Sequence, residues 1–93
     1  MEGIIKDKVA FEKTEGGYTF KATYLKEPKG DALVEIHKGD ELKKEFLFPA
    51  YKIWNIAAHA YDIAAGLDRG SEAGLYVAGS DGLGGNVYRG KEA

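Results

Sequence analysis

Apolar and polar residues alternate over the first half of the chain, and the alternation breaks at three places. Gly16-Gly17, then Pro28-Lys29-Gly30-Asp31, then Gly39-Asp40 separate short alternating segments. Such clusters are turn signals between strands. The pattern predicts four strands, roughly 4–14, 18–26, 32–38 and 42–48.

The first hairpin can be tested for register. A two-residue Gly16-Gly17 turn pairs Glu15 with Tyr18 and continues outward. Val9 then faces Tyr24, Phe11 faces Ala22 and Lys13 faces Phe20, a mostly apolar side. The other side pairs Glu12 with Lys21, Thr14 with Thr19 and Ala10 with Thr23, which are favourable cross-strand neighbours. Turn chemistry and alternation agree. The second hairpin offers two registers. A three-residue Gly39-Asp40-Glu41 loop sets Ala32, Val34 and Ile36 beside Phe48, Phe46 and Lys44, and sets Glu35 against Glu45. A two-residue loop pairs Glu35 with Lys44 but splits the apolar face. Burial outweighs an exposed charge pair, so the three-residue loop is expected.

Pro49 marks a change of period, and proline suits a first helical position. From Ala50 to about Gly66 the pattern is that of one long helix. Ile53, Ile56, Ala57, Ala60, Ile63, Ala64 and Leu67 form its broad apolar face. Gly66 and Gly70 are candidate stops. A second stripe, Trp54, Ala58, Tyr61 and Ala65, lies outside that face. It leaves only the narrow polar strip Lys52, Asn55, His59 and Asp62. A helix backed by water is expected to be polar over about half its circumference. The stripe therefore predicts a second contact, either a homodimer formed through Trp54, Ala58, Tyr61 and Ala65 or the C-terminal segment folded over them through Tyr76, Val77 and Tyr88. The expected fold class is α+β: a four-stranded antiparallel meander and one long helix over 1–70. A Gly-rich hairpin or flexible tail is expected over 71–93.

Composition narrows the chemistry. Ninety-three residues make one domain, short enough that a partner subunit would help its stability. There is no cysteine, so no disulfide can form, and two histidines make a zinc site poor. No apolar run has the length of a signal peptide or of a membrane span, so a cytoplasmic protein with no membrane association is expected.

Motifs for catalysis are weak. The glycines from Gly79 to Gly85 are followed by no Lys-Ser/Thr and no helical pattern, so they do not make a phosphate loop. Ser71 and Ser80 sit in no strand–turn–helix elbow. His59 with Asp62, and His37 with Asp40, are isolated pairs without a nucleophile. No enzyme, cofactor or metal is expected. Tyr18, Phe20, Phe46 and Phe48 read first as core, and only second as stacking platforms for bases.

The lysines carry the functional expectation. There are eleven against two arginines, although the formal net charge is −2. Lys21 and Lys43 are expected on the solvent face of the sheet, and Lys26 and Lys38 at turns. With Lys44, these residues are candidates to hold the phosphates of single-stranded DNA or RNA. Ala32-Leu33-Val34-Glu35-Ile36-His37 resembles the third strand of the PC4-like transcriptional coactivators, and Phe46 through Pro49 to Trp54 is similar to their strand, proline and helix. The resemblance covers roughly residues 18–60. It implies a dimeric single-stranded DNA binder whose sheet lysines contact phosphates. The alternative is a protein–protein interaction module, a viral, phage or regulatory adaptor or inhibitor, using the Trp54/Tyr61 stripe or the tail.

Overall fold

The computed structural model describes residues 3–80. Four strands, β1 (Ile5–Glu15), β2 (Tyr18–Glu27), β3 (Asp31–Lys38) and β4 (Glu41–Pro49), form one antiparallel sheet in the order of the chain. Three short helices follow: α1 (Ile53–Ala58), α2 (Ala60–Asp68) and α3 (Ala73–Ala78). A single 3-10 turn, Ala50–Lys52, leads from Pro49 into α1.

Both hairpins show how register is set. Gly16 and Gly17 have positive φ, 59° and 85°, as a type I′ turn needs, and Glu12↔Lys21 and Thr14↔Thr19 pair as expected. The Thr14 and Thr19 hydroxyls lie 3.1 Å apart. The pairing then slips between Val9 and Phe11, so Val9 faces Thr23 rather than Tyr24. An extra residue in a strand turns the following side chain to the other face, which moves Val9 off the core side. In the second hairpin the apolar register is as expected, with Ala32↔Phe48, Val34↔Phe46 and Glu35↔Glu45. The turn itself is the two-residue Gly39-Asp40, closed by Lys38↔Glu41, and a slip beyond Ile36 reconciles the two. Lys43 is the extra residue. The bulge allows a short turn without splitting the apolar face.

The expected single long helix is instead two helices that meet at His59. There the backbone opens to φ −104°, ψ 13°. Hydrogen bonds still cross the junction, from the His59 N–H to Asn55 O (3.0 Å) and from the Ile63 N–H to His59 O (2.9 Å). The axis therefore bends without a gap, with no proline or glycine to cause it. Packing supplies the reason. Ile53 and Ile56 of α1, and Ala60, Ile63 and Ala64 of α2, are all buried, with α1 lying against β2 and α2 against β1. The bend keeps both apolar faces on a twisted sheet.

Gly66 does not stop α2 but lies buried within it, against the Ser71 carbonyl. Gly70, at φ 74°, is the stop. The Ser71 N–H donates to Gly66 O (2.8 Å) and the Gly70 N–H to Leu67 O (3.0 Å), which is a Schellman cap. Residues 73–78 then form α3 where a hairpin or tail was expected. Leu75 and Ala78 are fully buried and complete the core with Phe20, Val34, Ile36, Phe48 and the α1–α2 face. Gly74 lets α3 approach α2 closely, since a Cβ there would lie 3.0 Å from Ile63 Cα. The rest of the expected Gly-rich hairpin, residues 81–93, lies outside the described residues.

Candidate interaction surface

The sheet has two unlike faces. Tyr18, Phe20, Ala22, Ala32, Val34, Ile36 and Phe48 look toward the helices and are buried, and Phe46 packs edge-on against Phe48 at 6.1 Å. These strand aromatics are core and are not a platform for bases. Across the opposite face, Glu12, Lys21, Glu35 and Glu45 pair in one row over all four strands. The next row runs Val9, Thr23, Leu33 and Leu47, of which Thr23 and Leu33 are buried.

The five candidate lysines do not converge. Lys21 sits between Glu12 and Glu35 on the far face, in a row that carries three carboxylates and one ammonium. Lys26 lies exposed near the end of β2. Lys38 reaches Asp68 at 3.5 Å and hangs over the Tyr18 ring at 5.3 Å. Lys43 pairs with Glu41 at 3.1 Å on its own hairpin. Lys44, on the helix side, makes a half-buried ion pair with Glu72 at the start of α3. Three of the five are thus engaged with carboxylates, and the set is split between two faces.

Lysines outside that set brace helices. The Lys13 ammonium donates to Ala57 O (3.1 Å) at the end of α1, and Lys52 donates to Gly79 O (3.2 Å) beyond α3. The Asn55 amide donates to Ala78 O (3.0 Å). Each bonds a carbonyl in the last turn of a helix or just past it, and the Ala57 carbonyl also accepts the His59 N–H. The strip expected to be solvated is therefore partly the seat of α3. Tyr18 donates to Asp68 Oδ1 (3.0 Å), tying β2 to the last turn of α2. Desolvation, then the Asp68 hydrogen bond and charge, raise the Tyr18 phenol above its ordinary value of 10.0.

The second stripe lies in the open. Trp54 is 56% exposed and Tyr61 67% exposed. Ala58 is exposed and Ala65 partly so. Tyr51, in the turn before α1, is 80% exposed and stands three residues before Trp54, the spacing that extends the stripe. Sequence reasoning passed over it, although its place continues the 3-4 spacing of the stripe. The Trp54 ring lies beside Phe11 of β1, with centroids 5.0 Å apart and the ring planes tilted by 38°. α3 does not cover the stripe. It docks on the Lys52/Asn55 side, with Tyr76 turned toward the core and Val77 exposed.

His37 belongs to the far face of the sheet and His59 to the helical layer, so the two histidines do not meet. The Ser71 hydroxyl accepts the Ala73 N–H (3.2 Å) at the start of α3. Among the described residues no group of three or more His, Asp or Glu side chains is placed to hold a metal ion, and no helix is long and apolar enough to cross a membrane. Comparison with protein-family models, with curated proteins and with solved structures finds no match to this chain.

Proposed function

We propose that this chain is a non-enzymatic binding module that engages a protein partner through Tyr51, Trp54 and Tyr61. The observation that carries this reading is Trp54, more than half exposed yet held against the Phe11 ring at 5.0 Å. A fixed, exposed tryptophan loses little rotamer freedom on binding, and Trp and Tyr are the residues that most often dominate the energy of protein interfaces. Three such rings on one surface of a 93-residue chain exceed what folding requires of them.

Single-stranded nucleic acid held by Lys21, Lys26, Lys38, Lys43 and Lys44 is the competing reading. Against it stand the ion pairs of Lys38, Lys43 and Lys44 and the acidic row around Lys21. A phosphate backbone on that row would meet Glu12, Glu35 and Glu45. Two measurements decide between the readings. Photo-crosslinking from position 58 in cell extract should capture proteins with wild type that Tyr61→Lys loses. A labelled single-stranded oligonucleotide, titrated at low and at moderate salt, should show no salt-dependent binding. Equal capture by both forms refutes the binding face. Salt-sensitive oligonucleotide binding, lost on substituting the lysines, puts nucleic acid in its place.

A further inference from the structure

We propose that the occupant of this aromatic surface is a second copy of the chain, packed about a two-fold axis with the two stripes antiparallel. The inference rests on the binding-face reading above and names its partner. Along the stripe the residues are Trp54, Ala58, Tyr61 and Ala65, so bulk runs large, small, large, small. Reversed end for end, the order is small, large, small, large. An antiparallel copy therefore sets Trp54 against Ala65 of the second copy, and Ala58 against Tyr61 of the second copy. Each ring faces a methyl group, and two facing helices can close to the distance that small residues permit. A parallel copy would stack Trp54 on Trp54 and Tyr61 on Tyr61 and hold the alanines apart. The sequence order is thus complementary to itself in one orientation only, which is what a two-fold interface requires.

The structure keeps the stripe usable in this way. All four residues are exposed or partly exposed. The hydrogen bonds from the His59 N–H to Asn55 O and from the Ile63 N–H to His59 O carry the surface across the α1–α2 junction, which lies level with the two-fold axis. Exposures of 80%, 56% and 67% for Tyr51, Trp54 and Tyr61 can be converted to area. With about 150–250 Å² per aromatic side chain, the three offer roughly 400 Å² per copy and roughly 800 Å² in a pair. Stable interfaces start near 1,200 Å² in total. The aromatic area alone falls below that, which is the range of weak, transient association. Because one patch is used twice, a second copy supplies aromatic area from both sides. This places the dimer among weak, concentration-dependent associations, with a dissociation constant on the order of tens of micromolar or above. A formal net charge of −2 per chain offers little repulsion to set against it.

Sedimentation velocity over a concentration series, with tryptophan emission recorded in parallel, tests the proposal. Trp54 is the only tryptophan, so the emission reports this surface alone. Wild type should rise from the 10.1 kDa monomer toward twice that mass, with emission moving to shorter wavelength over the same range. Ala58→Phe should give a monomer, since it sets a ring against Tyr61 of the second copy. The swapped double variant Ala58→Phe/Tyr61→Ala should dimerise again, because the facing pair is once more one large and one small. Tyr61→Lys should be monomeric, and circular dichroism establishes that each variant is folded. Wild type that stays monomeric into the hundreds of micromolar overturns the second copy as occupant. So does a dimer that Ala58→Phe leaves intact, or a swap that fails to restore one. The binding-face reading fails by a different result, when crosslinked products from position 58, the second copy included, form equally with wild type and Tyr61→Lys.

Discussion

Gly16 joins a turn and a packing contact in one residue, and Gly16→Ala separates them. Its φ of 59° lies in the left-handed region, and a Cβ built there falls 2.8 Å from the Ala64 Cβ of α2. The conformational penalty for an alanine at that φ is about 1–2 kcal/mol. A Cβ–Cβ contact this short cannot be accommodated in place, and neither partner is the flexible end of a long side chain. Overpacking of this kind costs about 1–3 kcal/mol. The total is about 2–5 kcal/mol, a large share of what a small domain has. At about 4–8 °C per kcal/mol for a domain of this size, the melting temperature should fall by at least about 8 °C. Gly39→Ala is the control. Gly39 has φ 61°, but a Cβ there meets nothing within 4 Å, so only the conformational part applies. Thermal and urea unfolding of both variants should differ by the steric part. Gly16→Ala/Ala64→Gly should recover some of that difference despite the poorer helix propensity of glycine, giving a favourable coupling in the double-mutant cycle. If Gly16→Ala destabilises no more than Gly39→Ala, or the cycle shows no coupling, the close seat of α2 on the first hairpin is wrong.

Two further predictions concern the helical layer. Gly74→Ala should destabilise the protein by about 1–3 kcal/mol, although alanine is the better helix former, because the new Cβ would press on the Ile63 backbone at 3.0–3.1 Å. Limited proteolysis should show cleavage near α3 before the sheet is attacked. The Tyr18 phenol should titrate above the ordinary tyrosine value of 10.0, through desolvation first and then its bond to Asp68. Because the folded state holds that proton more tightly, its contribution to stability is complete below the unfolded value. It is lost as pH rises from there through the raised folded value. Thermal melts across the alkaline range should show this fall in wild type, and Tyr18→Phe should flatten it at a loss of about 1 kcal/mol near neutrality.

Much of the sheet could be read in the chain because its determinants are local. Gly16-Gly17 and Gly39-Asp40 specify turns, and the alternation from Tyr18 to Phe48 specifies which side is buried. Side-chain period and turn type together leave few registers. The slips at Val9 and Lys43 were not legible, since a bulge is a compromise between a preferred turn and a preferred face, settled only when strands pair. In the second hairpin both competing registers turned out to be partly right for that reason. The prominence of Trp54 and Tyr61 was also visible in the chain. Helical spacing put them outside the face that covers the sheet, and the bend at His59 does not bury them.

What the tertiary structure decided is what the remaining side chains do once distant segments meet. Lys38 and Lys43 read in sequence as exposed cations, and Lys44 as the one charge beside Ile36 on the apolar face, with no partner announced for any of them. Folding places Lys44 against Glu72, 28 residues further along the chain, and Lys38 against Asp68. An ion pair depends on spatial distance, and separation along the chain does not predict it. Asn55 and Lys52 read as a solvated strip because nothing local announces the carbonyls of Ala78 and Gly79 that they satisfy. The break at His59 belongs to the same class. Helical periodicity records which residues are apolar, whereas the curvature of the surface that receives them exists only after four strands have twisted together. The chain by itself therefore determined the strands, the turns and the apolar surplus of its helical segment. The packed structure determined where the charges are spent, how the helix divides and which aromatic rings remain facing the solvent.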